Sequence, residues 1–125
     1  MTREEFEVLV REALDSLPEE FATKLDNVNV IVEPWPTQEQ LVTSGVGKGM
    51  TLFGLYQGVP QTKRGNYTAV LPDKIYIFAG PILTSFPDPE KAKNQIRSTV
   101  LHEIGHHFGM SEEAIRAAES HRSKS

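Results

Sequence analysis

Cysteine is absent from the 125-residue chain. Neither a disulfide framework nor a thiolate-held metal is therefore available, and any bound ion must rest on nitrogen and oxygen donors. Basic residues form no stripe: Lys48, Lys63, Arg64, Lys74, Lys91 and Lys93 are scattered, and the net charge is -4. That balance argues against nucleic acid as a partner. No apolar run approaches the roughly 20 residues of a membrane-spanning helix, so no membrane association is expected. Met1-Thr2-Arg3-Glu4-Glu5 opens a charged segment rather than the apolar core of a signal peptide, and a cytoplasmic location is expected. The length fits a single domain over residues 1–125 with one modest hydrophobic core.

What is present reads as an α+β chain. Thr2 and Glu5 form a capping box, and Phe6, Leu9, Val10, Ala13, Leu14 and Leu17 follow the three-and-four spacing of a helix buried on one face. Pro18 restarts the chain as a short turn carrying Phe21, Ala22 and Leu25 toward the core. Val28, Val30, Ile31 and Val32 predict a first strand, stopped by Pro34-Trp35-Pro36, where Trp35 is expected to plug the core over the sheet edge. Thr37 caps a short helical turn. Gly45-Val46-Gly47-Lys48-Gly49 resembles part of a phosphate loop, but Val42 stands where that loop needs glycine and Gly49 where it needs Ser or Thr. Thr51–Gln57, Tyr67–Leu71 and Lys74–Ala79 are the remaining expected strands, with Gly80-Pro81 ending the last.

Asp88 as cap and Pro89 at the first position then start a long helix running to about Phe108, roughly 30 Å. Its buried side is Ile96, Val100, Leu101, Ile104 and Phe108. Beside that stripe stands His102-Glu103-Ile104-Gly105-His106, an H-E-x-x-H motif. Residues four apart on a helix lie about 40° apart around its axis, so His102 and His106 can aim both imidazoles at one ion. Glu103, offset by about 100°, reaches a water at that point as general base. Zinc suits this donor set, and a catalytic site takes a third protein ligand while leaving a place for water. Gly109 fits a turn of positive φ, after which Ser111 caps a last helix. A reversal there returns Glu112 to the imidazoles; Glu119 and His121 are the other candidates for third ligand. His107 is turned about 100° from His106 and reads as a surface or cleft-wall residue. Tyr67, Tyr76 and His107 are candidate donors to a developing oxyanion. The Lys74–Ala79 strand is the expected edge on which an extended peptide is added.

His102-Glu103-Ile104-Gly105-His106-His107-Phe108-Gly109-Met110-Ser111-Glu112 resembles a zincin metallopeptidase motif of the H-E-x-x-H-x-x-G-x-x-ligand type. Metzincins carry a methionine after that ligand; here Met110 precedes it and none follows, which sets this chain apart from them. The chain is more similar, over nearly its whole length, to the small bacterial minimal-zincin family. That resemblance implies a minimal zincin-like fold, a small mixed β-sheet packed against N-terminal helices and a long H-E-x-x-H helix. It implies zinc at His102, His106 and Glu112, with Glu103 as general base. The expected activity is a zinc-dependent metallopeptidase acting on peptides or unfolded protein segments. With so short a chain the cleft is expected to be shallow, leaving room for a homo-oligomer or a partner to complete it. The alternatives are a non-catalytic, zinc-stabilised interaction protein and a zinc hydrolase of small amides.

Overall fold

The computed structural model describes residues 1–45, 52–58 and 72–120. Helix α1 (Arg3–Asp15) begins at the expected capping box, in which the Thr2 side chain accepts from Glu5 N and Glu5 accepts from Thr2 N. Its Phe6, Leu9, Val10 and Ala13 are buried. Helix α2 (Glu19–Ala22) and a 3-10 turn over Thr23–Leu25 lead to β1 (Val28–Glu33). Helix α3 (Gln38–Ser44), β2 (Gly54–Gln57), β3 (Asp73–Phe78), α4 (Ala79–Ser85), α5 (Pro89–His107) and α6 (Glu112–Ser120) follow.

The sheet order is β1-β3-β2, with β1 parallel and β2 antiparallel to β3. Ile75 and Ile77 of β3 turn into a core shared with α1 and with Ile96, Val100, Leu101 and Ile104 of α5. The architecture is thus a small mixed sheet layered against helices, as expected of a zincin-like fold. Gly54 lets α5 approach β2 closely: a Cβ there would meet Thr99 Cγ2 at 2.5 Å and Tyr76 O at 2.9 Å. This close crossing brings the motif-bearing end of α5 against β2.

Five expectations change. Phe108, expected on the buried side of α5, is its C-cap residue and is 47% exposed, beyond the reach of the core. The Lys74–Ala79 segment is the central strand β3, so the edge on the α5 side, among the described residues, is β2. Alternation puts Tyr76 on the sheet face opposite Ile75, Ile77 and α5, where its ring stacks on Phe78 at 6.3 Å. It is therefore no candidate for an oxyanion donor. β3 ends just before Gly80-Pro81, as expected, but the crossing that follows is helical: Gly80-Pro81 lies in the first turn of α4. Proline in a first turn forfeits no intrahelical bond, because that N–H has no partner there. Trp35 is 58% exposed rather than a core plug. Its ring lies across Gly80, where a Cβ would come within 2.3 Å of Trp35 Cε2. The Tyr67–Leu71 strand, Tyr67 as a donor, the glycine-rich 46–49 stretch and His121 fall outside the described residues.

Candidate metal centre

Helix α5 starts as its sequence requires, with the Asp88 side chain accepting from Lys91 N at 3.1 Å and proline in the first turn. It ends in a Schellman turn: Met110 N donates to Gly105 O at 2.8 Å and Gly109 N to His106 O at 3.2 Å. Gly109 has φ +71°, the conformation that only glycine adopts without strain. The chain therefore reverses at once, and Ser111 accepts from Ala114 N at 3.1 Å to begin α6. Glu112, the first residue of α6, returns to the side of α5 that carries the two histidines.

The convergence is direct. Glu112 Oε2 lies 3.6 Å from His102 Nε2, and Glu112 Oε1 lies 3.6 Å from His106 Nε2. The two imidazole centroids are 5.9 Å apart, with ring planes at 72°. Bonds of about 2.0–2.2 Å in a tetrahedron put neighbouring donors about 3.3–3.5 Å apart, so the 3.6 Å spacings are slightly wider than such a shell. Among the described residues no group of three or more His, Asp or Glu side chains is drawn together tightly enough to hold a metal ion as it stands; this trio would have to close slightly to do so.

Its chemistry nonetheless fits zinc. His102 Nδ1 is 2.9 Å from Ser98 O, an atom that only accepts. Nδ1 therefore donates its N–H to Ser98 O, which turns Nε2 toward Glu112 as the atom available for a metal. His106 is more open, its side chain 61% exposed against 29% for His102.

Glu103 stands apart from the trio in both partner and environment. Its Oε1 accepts the backbone N–H of Tyr56 at 2.7 Å. Phe78 N donates to Phe53 O, so the alternation of an antiparallel pair turns the backbone groups of Phe53, Leu55 and Gln57 toward β3. Those of Gly54 and Tyr56 face the outer edge, where Glu103 meets one of them. Burial pushes the Glu103 carboxyl above its ordinary pKa; the Tyr56 amide and the charges of His106 and His102 work in the opposite direction. A recess of about 200 Å³ adjoins it, lined by Leu52, Phe53, Gly54, Gln95, Ser98, Thr99, His102 and Glu103. A larger recess of about 370 Å³ lies elsewhere, between α1 and β1, and gathers no comparable set of donors.

Sequence reasoning missed the support behind Tyr56. Its hydroxyl donates to Asp73 Oδ2 at 2.6 Å, and its ring stacks on His107 at 3.9 Å. Burial and the adjacent Asp73 carboxylate push the phenol pKa far up, so it stays protonated. His107 Nε2 is 3.8 Å from the same Asp73 oxygen. His107 thus faces the strand that holds Glu103, not the three converging side chains. The only sequence signal was its 100° offset from His106. Glu119 does not join the trio either: its carboxylate accepts from the Ser98 hydroxyl.

A family model described as zincin-like metallopeptidase matches residues 25–122. The match spans most of the chain, which therefore belongs to the zincin-like metallopeptidase family. Among solved structures, a conserved hypothetical protein from Thermus thermophilus is similar at 23% identity and a TM-score of 0.52. The alignment covers 93% of this chain and 98% of that one, and supports the shared fold. No curated protein matches the chain.

Proposed function

We propose that this protein is a zinc-dependent peptidase in which His102, His106 and Glu112 hold the ion and Glu103 is the general base. The observation that carries this reading is the approach of each Glu112 oxygen to one imidazole nitrogen, 3.6 Å in both cases, with the half-buried Glu103 carboxylate at the adjoining helical position. Zinc bound there supplies a Lewis acid that acidifies water and polarises a scissile carbonyl. Ser98 O keeps the His102 ring in its liganding tautomer. Glu103, with a pKa raised by burial, takes the proton of the attacking water and returns it to the departing amine. The Tyr56 amide holds one Glu103 oxygen and leaves the other for that exchange.

An extended peptide is the substrate this geometry favours. Gly54 N, Gly54 O and Tyr56 O turn to the outer edge of β2, and strand addition would use them to align a backbone past Glu103. The 200 Å³ recess, with Leu52 and Phe53 on one wall, then accepts a neighbouring side chain. A chain this short would form a shallow groove, which favours short peptides or unfolded segments.

The Tyr56–Glu103 bond also favours a second reading, in which Glu103 merely fastens α5 to β2 and zinc stabilises a binding domain. Glu103→Gln separates the two. Glutamine keeps an acceptor for Tyr56 N–H but cannot take a proton. An enzyme retains one zinc and its fold while losing peptide cleavage by about a hundredfold or more. Wild-type protein carrying one zinc that cleaves nothing in a broad peptide library would overturn the peptidase reading.

A further inference from the structure

Arg97 is an arginine in the core, only 3% exposed. From α5 it spans two other helices. Its Nε donates to Ser16 Oγ at 3.1 Å and Nη2 to Ser16 O at 3.3 Å, at the C-cap of α1. Nη1 donates to Glu119 O at 2.9 Å and Nη2 to Ala118 O at 3.4 Å, in the last turn of α6. A buried guanidinium is costly unless its charge is met. Here the negative ends of two helices meet it, together with carbonyls that intrahelical bonds leave unpaired. The neighbouring Ser98 hydroxyl donates to the Glu119 side chain, fastening the same turn a second time.

Helix α6 needs such fastening. It has nine residues and buries only Ile115 and Ala118; a helix that short is not stable alone in water. Glu112 sits at its other end, three residues past the Gly109 turn, with a side chain 49% exposed, so its position relative to the imidazoles depends on the turn and on the helix that carries it. About seven residues of helix separate Glu112 from Glu119, roughly 10 Å. A rigid segment of that length, entered from the Gly109 turn and docked at its last turn, transmits that docking to its first residue.

We propose that Arg97 is a positioning residue for the metal centre: by docking the last turn of α6 it delivers Glu112 to His102 and His106. The proposal rests on the three-ligand site put forward above. It makes ion binding and α6 docking reciprocal, each strengthening the other.

The test is a double-mutant cycle read by zinc affinity, with a chromophoric chelator competing for zinc against the full chain. Arg97→Met should weaken zinc binding about 10- to 100-fold, the range of groups that orient a ligand. In a Glu112→Ala background the same change should weaken it less than about twofold, because the ligand it positions is gone. Val10→Ala, a cavity in α1, lowers the melting temperature without touching α6 and should leave zinc affinity within about twofold. Amide exchange along α6 should slow on adding zinc in wild type and not in Arg97→Met. Should Arg97→Met fail to fold, Glu119→Ala enters the same cycle through its bond to Ser98, with a smaller loss that again vanishes without Glu112. Equal losses with and without Glu112, or none in either, would overturn the proposal while leaving the ion site intact. Wild-type protein that binds no zinc would overturn both.

Discussion

Gly105→Ala sets two physical effects against each other, and the geometry decides between them. Alanine is favoured over glycine by about 1 kcal/mol inside a helix, and residue 105 lies inside α5. Helix propensity alone therefore predicts stabilisation. A Cβ at 105, however, would lie 2.5 Å from both Cδ1 and Cγ1 of Ile115. Ile115 is completely buried, and its branched side chain has one strongly preferred χ1 rotamer in a helix. It cannot swing clear, so α6 must move. Overpacking of this kind costs about 1–3 kcal/mol, which offsets the propensity gain and leaves a net loss of up to about 2 kcal/mol. For a chain of this size that lowers the melting temperature by up to about 8 °C. Metal-free protein in a thermal melt reads this directly, and zinc affinity should fall as well because α6 carries Glu112. Ile115→Ala should cost stability on its own but less in the Gly105→Ala background, where it makes room. A Gly105→Ala protein that melts higher than wild type would refute the close packing of α6 on α5.

Two further outcomes follow from the charges. The Tyr56 phenol is held protonated by burial and by Asp73, so its folded pKa lies above its unfolded one. The stability it contributes is complete below about pH 10 and is lost as pH rises further; Tyr56→Phe should unfold with a visibly flatter pH dependence above pH 10 in denaturant titrations. Burial likewise raises the Glu103 pKa. In metal-free protein its contribution is fully present below the ordinary glutamate range and is lost as pH rises through the folded value. Glu103→Gln should therefore melt higher than wild type at pH 7, with the gap closing toward pH 4, and an unchanged gap would show that burial does not perturb this carboxyl.

The elements that the sequence spells out are those whose signals are local. Asp88-Pro89 marks the start of α5, Gly109 its end and Ser111 the next cap, because each answers to backbone groups within a turn. From those three points the return of Glu112 follows without knowledge of the sheet. Strand order is not legible in the same way: period-two alternation says which residues share a face, not which strand lies beside which, and nothing in β3 itself marks it as central. Gly80-Pro81 reads correctly as a strand stop, but glycine and proline give no sign that a helix starts there, because proline is tolerated only in a first turn. Trp35 reads as buried from its size alone, but its flanking prolines and Gly80 give it a surface to lie on rather than a pocket. Arg97 and the Tyr56–Glu103 bond are invisible for another reason. Each pairs residues far apart in the chain, Glu103 with Tyr56 and Arg97 with Ser16 and Glu119, and a charged residue on a helix ordinarily signals a solvated face.

The most direct test of the ion site is a zinc-loaded crystal with anomalous scattering measured at the zinc edge. One peak should appear within about 2.0–2.2 Å of His102 Nε2, His106 Nε2 and an oxygen of Glu112, with Glu103 outside bonding distance. A peak that omits Glu112, or zinc scattering only at sites away from residues 102 and 106, would contradict the account.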